Sequence, residues 1–263
     1  MGFFTPNFNK AGRGVSKDEP RKKGFRRFIE IITRDFRDLM KVNLLFFLCI
    51  LPSAALFSWG LLGNLVIVLI LSVIAAYPVG GAVTASFFCI TRMLRDDPGF
   101  LWDDFKRKFL ENHRLAGAAG ILTAAFVYTQ IFLFWLPILA DWEVADTAWI
   151  IAALLLFILF FMFAPYVFLQ FAYINLGTFT IIKNSTLLAL SNLGRSLMGL
   201  ICGLIPWVVM TLFFPITLVF LPIVPFFFFV LSWLLSLMWV WPVFDKHFSV
   251  EETLTKERDI QDF

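Results

Sequence analysis

From residue 42 to residue 243 the chain is a succession of apolar runs, most about as long as a helix that crosses a hydrocarbon core, separated by short polar segments. A water-soluble core has no room for such content. Of 263 residues 60% are hydrophobic, 34 are Phe and 9 are Trp, and only 16% are charged. In lipid every backbone N–H and C=O must find its partner inside the element, so the runs predict helices. The expected fold class is an all-α polytopic membrane helical bundle. This composition excludes a soluble globular enzyme, a disordered chain and a disulfide scaffold. Cys49, Cys89 and Cys202 all lie inside apolar runs with no CxxC spacing, and read as small buried hydrophobes. The first apolar run starts too late for a secretory signal, and Pro6 stands where a myristoylation pattern wants Ser or Thr.

Charge position sets the expected topology. Eleven of the 22 basic residues precede Val42, six lie between Arg92 and Arg114, Lys183 and Arg195 flank a third polar segment, and Lys246, Lys256 and Arg258 close the chain. The remaining charged connection holds Asp141, Glu143 and Asp146 and no base. The positive-inside rule puts the basic blocks and both termini in the cytoplasm, the acidic loop outside, and the chain in the cell membrane as a multi-pass protein. Residues 42–58 then leave the cytoplasm, and the chain must be back inside by Arg92. Residues 59–91 therefore make one net crossing, although they are too many for one straight span. The run Tyr77-Pro78-Val79-Gly80-Gly81 accounts for the excess by breaking the helix. Residues 60–76 read as an outer re-entrant or interfacial helix and 79–92 as the lower part of the returning span; two full crossings would instead put the bases of 92–114 outside. Segments 115–139, 148–171, 196–220 and 223–243 complete about six spans, with Trp59, Trp135, Trp142, Trp149, Trp239 and Trp241 near their ends.

Residues 1–23 read as a mobile basic tail, 24–243 as the membrane domain and 244–263 as a cytoplasmic C-terminal tail. Helical spacing of Phe25, Phe28, Ile29, Ile32, Phe36, Leu39 and Met40 opposite Arg26, Arg27, Glu30, Arg34, Arg37 and Lys41 predicts an amphipathic helix on the membrane surface, with Phe25, Phe28, Ile32 and Phe36 as its lipid-facing stripe, drawn to anionic lipid by about 1 kcal/mol per nearby base. A partner-binding helix is the alternative. Leu101, Trp102, Phe105 and Phe109 predict a second such helix, and residues 178–195 a coupling segment. Trp102, Asp104, Phe105, Lys183 and Asn184 are the candidate partner contacts. Pro78, Gly80, Gly81 and Thr84 mark a break where small side chains admit a neighbouring helix and Thr84 reaches across the contact; a substrate pathway is the other reading of that break.

The spans carry no ionisable group away from their ends, which argues against a proton-driven pump. Asn64, Thr84, Ser86, Tyr128, Thr129, Gln130, Gln170, Tyr173 and Asn175 serve either interhelical hydrogen bonds or a polar pathway. His113 and His247 sit at span boundaries, no metal-ligand, nucleophile-elbow or phosphate-loop motif occurs, and the pairs Asp103/Asp104 and Glu251/Glu252 do not converge on a helix. No catalytic residue, cofactor or metal is expected, and the basic tail lacks the base-reading motifs of a nucleic-acid module.

Asn43-Leu44-Leu45 after an amphipathic helix, the run Pro78-Val79-Gly80-Gly81-Ala82-Val83-Thr84-Ala85, then Arg92-Met93-Leu94-Arg95, Phe100-Leu101-Trp102-Asp103-Asp104-Phe105, and later Lys183-Asn184-Ser185 with Leu187-Leu188-Ala189-Leu190 carry a resemblance. Over most of residues 24–243 the chain resembles the YesL-like family of bacterial integral membrane proteins, a domain of unknown function. That family more often carries a Gly-Pro-Ala-Thr-like run where Pro78 precedes Gly80-Gly81 here. The resemblance implies a membrane location and, through genetic context, an association with carbohydrate uptake in Gram-positive bacteria; it supplies no catalytic residue. The leading expectation is a non-enzymatic accessory protein that assists or regulates a carbohydrate importer and contacts its subunits. A transporter or channel subunit for a small polar solute, and an intramembrane enzyme, are the rivals. The topology has a direct test. A cysteine placed at Asp141 should react with an impermeant thiol reagent from outside, while cysteines at Lys106, Lys183 and Glu252 should not; external labelling at Lys106 overturns the single crossing of 59–91.

Overall fold

The computed structural model describes residues 21–22, 24–111, 113–139, 147–174, 176–213 and 224–261. The expectations made for residues 1–20, the acidic loop around Asp141, Trp142 and Asn175 fall outside them. Among the described residues ten helices follow one another: α1 (Phe25–Leu62), α2 (Val66–Ile74), α3 (Tyr77–Arg95), α4 (Leu101–Glu111), α5 (His113–Leu139), α6 (Thr147–Tyr173), α7 (Thr178–Ser191), α8 (Leu193–Leu212), α9 (Val224–Phe248) and α10 (Val250–Gln261). Six segments of the described residues are long and apolar enough to cross a membrane, α2 and α3 counting together as one. The chain is an all-α polytopic membrane bundle.

α1 covers 38 residues as two helical pieces joined across a kink at Asp35 (φ −104°, ψ 17°). The expected surface helix and the span that follows it are both present, set end to end. No Gly or Pro stands between Phe25 and Pro52, so the two pieces bend at Asp35 without an intervening loop. Ile31, Leu39, Val42 and Phe46 form its buried seam. The expected lipid-facing stripe divides. Phe28 and Ile32 pack against the core, while Phe25 and Phe36 stay exposed, Phe36 with its ring centroid 5.5 Å from that of Phe227.

The returning span breaks as expected, but at other residues. The turn after α1 lies at Gly63-Asn64, where Asn64 takes the left-handed backbone (φ 52°); the short polar side chain of Asn tolerates that conformation. Residues 60–62 therefore end α1 and do not open a separate outer helix. α2 folds back along α1, with Leu69 over Gly60. The break falls at Ala75-Ala76, and Pro78 sits in the first turn of α3, where its missing N–H costs nothing. Gly80 and Gly81 are ordinary turns of a continuous helix.

α3 is the axis of the bundle: every residue from Val79 to Arg95 is buried. It is wrapped by α1, α4, α5, α6 and α9. Lipid tails are as apolar as Leu, so helices in a membrane associate through close packing and hydrogen bonds. Gly80 supplies the closest approach. A Cβ there would overlap the Ala116 carbonyl oxygen and come within 2.7 Å of the Gly120 nitrogen, and a Cβ on Gly120 would meet Ala76 O at 2.9 Å. Gly81 faces α4 instead, with Phe109 at 3.2 Å from its built Cβ. Thr84 does not reach across the contact; its hydroxyl donates to Gly80 O in its own helix (2.9 Å). Gly199 and Gly203 play a similar part where α8 lies on Val240 and Ser236 of α9.

Polar membrane residues join the helices. Ser53 donates to Ser72 O (2.7 Å) and shares a hydrogen bond with Tyr128 (2.6 Å), tying α1, α2 and α5. Thr91 and Tyr173 join α3 to α6 (2.6 Å), Gln170 donates to Ser185 Oγ of α7 (2.7 Å), and Asn43 of α1 accepts from the Val230 backbone of α9 (2.8 Å). Ser86 bonds within its own helix, and Thr129 is exposed.

Gly80 gives the sharpest stability test. Gly80→Ala should lower stability by about 1–3 kcal/mol or more through overpacking against backbone that cannot yield. Gly81→Ala should cost less, because a ring edge can shift, and Gly194→Ala, with open space around it, should leave stability unchanged. Thermal unfolding in detergent ranks the three; equal melting temperatures for Gly80→Ala and Gly194→Ala would refute the close crossing.

Candidate functional site

The charged residues of the bundle gather where α3 ends. Its C-cap, Asp96, adopts the left-handed backbone (φ 62°, ψ 27°). The last carbonyls of a helix lack intrahelical partners and carry the negative end of its dipole. Three guanidinium groups from elsewhere in the chain take them. Arg34 donates to Met93 O (2.9 Å), Arg27 to Leu94 O (2.8 Å) and Arg21 to Arg95 O (2.9 Å). Arg27 and Arg34 are seven residues apart, two helical turns, so α1 presents both on one side.

The same three arginines converge on the Asp96 carboxylate. Arg27 donates to Oδ2 (2.6 Å), Arg34 pairs with Oδ1, and Arg21 Nε lies 3.6 Å from Oδ2. Their remaining charge is met by Glu30 on Arg27 (3.0 Å), Asp35 on Arg34 (2.6 Å) and Glu251 of α10 on Arg21 (2.9 Å). Burial by itself would push the Asp96 carboxyl up; the hydrogen bonds and charges of Arg27 and Arg34 outweigh it and hold the group below its ordinary value.

Two arginines on α3 itself extend the cluster. Arg92 pairs with Asp104 at the start of α4, and Asp104 also accepts from Arg107 (2.8 Å). Arg95, 4% exposed, lies between the rings of Tyr173 and Trp241, 5.2 Å from each centroid, with an Asp97 oxygen 3.1 Å from its Nε. That ion pair lacks hydrogen-bond alignment, and Nη1 has no partner among the described residues. Cation–π attraction supports such a desolvated guanidinium.

The candidate residues from sequence are placed unequally around this cluster. Trp102 is 60% exposed, and Lys183 is exposed beside a half-buried Asn184. Phe105 is 5% exposed and packs in the core, so it is a support for α4 and not a partner contact; the helical stripe that named it buries one side and leaves Trp102 on the other. Asp104 is held internally by Arg92. Phe25, Phe28, Ile32 and Phe36 lie along α1 away from the carbonyl caps, and Pro78, Gly80, Gly81 and Thr84 belong to the opposite half of α3. Sequence reasoning missed Arg27, Arg34, Arg92, Arg95 and Asp96 as a unit. Their signal was present: a buried-seam Ile31 between two arginines seven apart, and Arg-x-x-Arg directly before Asp96-Asp97.

Beside the cluster lies an open cavity of about 410 Å³ between the start of α1, the end of α9 and the first turn of α10. His113 and His247 bond only carbonyls of their own turns (3.0 and 2.8 Å). Fold and charge cluster together define a helical membrane protein whose central helix is locked at one end by ion pairs. Comparison with protein-family models, with curated proteins and with solved structures found no match.

Asp96 gives the cluster a pH dependence of known sign. Its folded-state pKa is depressed, so its contribution is present above the ordinary value of 3.8 and is lost as pH falls through and below it. Asp96→Asn should lower stability at neutral pH by about 1–3 kcal/mol for the lost charged hydrogen bonds, read as a lower melting temperature, and should flatten the fall seen in the parent protein on acidification. A parallel acid profile in both proteins would refute the assignment.

Proposed function

We propose that this chain is a non-enzymatic accessory protein of the cell membrane, with both termini in the cytoplasm, that docks through α4 onto the subunits of a carbohydrate importer and assists or regulates it. One observation carries the docking element: α4 is a rigid platform that presents an exposed aromatic. Leu101 and Phe105 sink into the core and Asp104 is pinned by Arg92, which leaves Trp102 outward with Phe100 and Leu110 exposed nearby. Asp103, Lys106 and Arg107 line a shallow depression beside them. A fixed Trp flanked by charges of both signs is the composition that dominates protein interfaces. The basic residues at this end of the bundle support a cytoplasmic placement. The carbohydrate association rests on the resemblance to the YesL-like family.

The polar membrane groups support an accessory role over a conduit, since Ser53, Tyr128, Gln170 and Tyr173 tie helices together. Cross-linking in intact membranes, then purification in mild detergent, should recover importer subunits with the parent chain and several-fold less with Trp102→Ala, while Trp59→Ala at the far end of α1 recovers them fully. Sugar movement in liposomes holding this chain alone would overturn the proposal in favour of a transporter.

A further inference from the structure

We propose that the cavity at the charged end binds the phosphodiester headgroup of a phospholipid. Its floor is apolar: Met238, Trp241 and Pro242 lie at i, i+3 and i+4 on one side of α9, a membrane-spanning helix, and Leu94 of α3 closes it. Its rim is charged. The cavity thus grades from apolar to polar along the last turns of a spanning helix, as the boundary between acyl chains and headgroups does.

The cations on the rim are of two kinds. Arg21 and Arg27 also line the cavity, but both are engaged by backbone carbonyls and by Glu251, Glu30 and Asp96. Lys22 and Lys246 are available. Lys22 is 58% exposed with one loose pair to Glu30 at 3.3 Å, and exposed Lys246 has no ion pair among the described residues. Lys22 precedes α1 and Lys246 lies in the last turn of α9, and both line one opening. The rim's two carboxylates are outnumbered by its four cations: Glu251 is held by Arg21, while Asp245 accepts the Glu251 backbone N–H (2.8 Å) and keeps its charge. Arg95, paired with Asp97, stacks on the ring of Trp241 close to the floor.

A free phosphate would use the two lysines and leave the floor wet. A phospholipid uses both, its phosphate between Lys22 and Lys246 and the start of an acyl chain over Met238 and Pro242. The shared chemistry is a phosphate oxygen accepting from two ammonium groups, and the floor selects the lipid.

The full chain, purified in detergent and delipidated, is titrated with dioleoyl phosphatidylglycerol and followed by native mass spectrometry. Lys22→Gln with Lys246→Gln should weaken lipid binding roughly thirtyfold, the effect of losing two membrane-surface bases. Arg26→Gln with Arg37→Gln, which removes the same charge from exposed positions of α1 outside the cavity, should bind as the parent does. Equal melting temperatures for the three proteins show that folding is not the cause. Met238→Gln, which makes the floor polar with no change of charge and leaves the lysines in place, should also weaken lipid binding. Lipid binding unchanged by the lysine pair, or weakened equally by the arginine pair, overturns the site. Millimolar inorganic phosphate that displaces the lipid from the parent protein, with Met238→Gln without effect, overturns it in favour of a free-anion site.

Discussion

At the end of α3 the carbonyl of Met93 has a single long backbone bond, from the Asp96 N–H (3.3 Å), and those of Leu94 and Arg95 take none among the described residues; the guanidinium groups of Arg34, Arg27 and Arg21 cap all three. A helix on the surface of a soluble protein ends in water. α3 is covered along its length, so its end requires donors from other parts of the chain, and three long cationic side chains provide them. Cations brought into a crowded site need anions in turn. Asp96 stands at their centre, and Glu30, Asp35 and Glu251 at the edges. The first piece of α1, ahead of the kink at Asp35, meets this demand, because it stands Arg27 and Arg34 beside a carbonyl row that lies past the apolar stretch.

The two ends of α3 are fixed by different physics. At Gly80 the contact is backbone on backbone, an arrangement of dispersion forces indifferent to salt and pH. At Asp96 it is a charge network, in part accessible to water and screened by salt. Solution conditions therefore act on one end of the central helix and leave the other unmoved. α4 is attached to the responsive end through Arg92 and Asp104 and carries the exposed Trp102 with it.

How much of this was legible in the sequence follows from which forces have a linear signature. Apolar run length marked the six spans, and a Pro among glycines marked a broken second one, because both effects are local in the chain. The turn at Gly63-Asn64 was hidden in an apolar stretch, since a loop that faces lipid headgroups or a neighbouring helix need not be polar. The two pieces of α1 were marked by a change in composition, and the helix bends at Asp35, ahead of the apolar run that begins at Val42. Phe105 and Trp102 share one helical repeat, and which of them faces inward depended on α3, which no periodicity within α4 could name. The arginine caps are contacts between residues 59 to 74 positions apart, legible only once the fold is known.

The charge network also has an order in time. Arg21, Arg27 and Arg34 are synthesised before the carbonyls they cap, and Asp96 arrives with those carbonyls, so two of the three caps can close while α5 is still being made. Glu251 holds Arg21 from a helix made more than 150 residues later. Until α10 is made, Arg21 has only the Arg95 carbonyl and the longer contact to Asp96, an anion it shares with Arg27 and Arg34. In a nascent chain stalled before α10, three guanidinium groups would thus lean on one carboxylate at the end of the central helix, an excess of positive charge that falls when synthesis reaches Glu251.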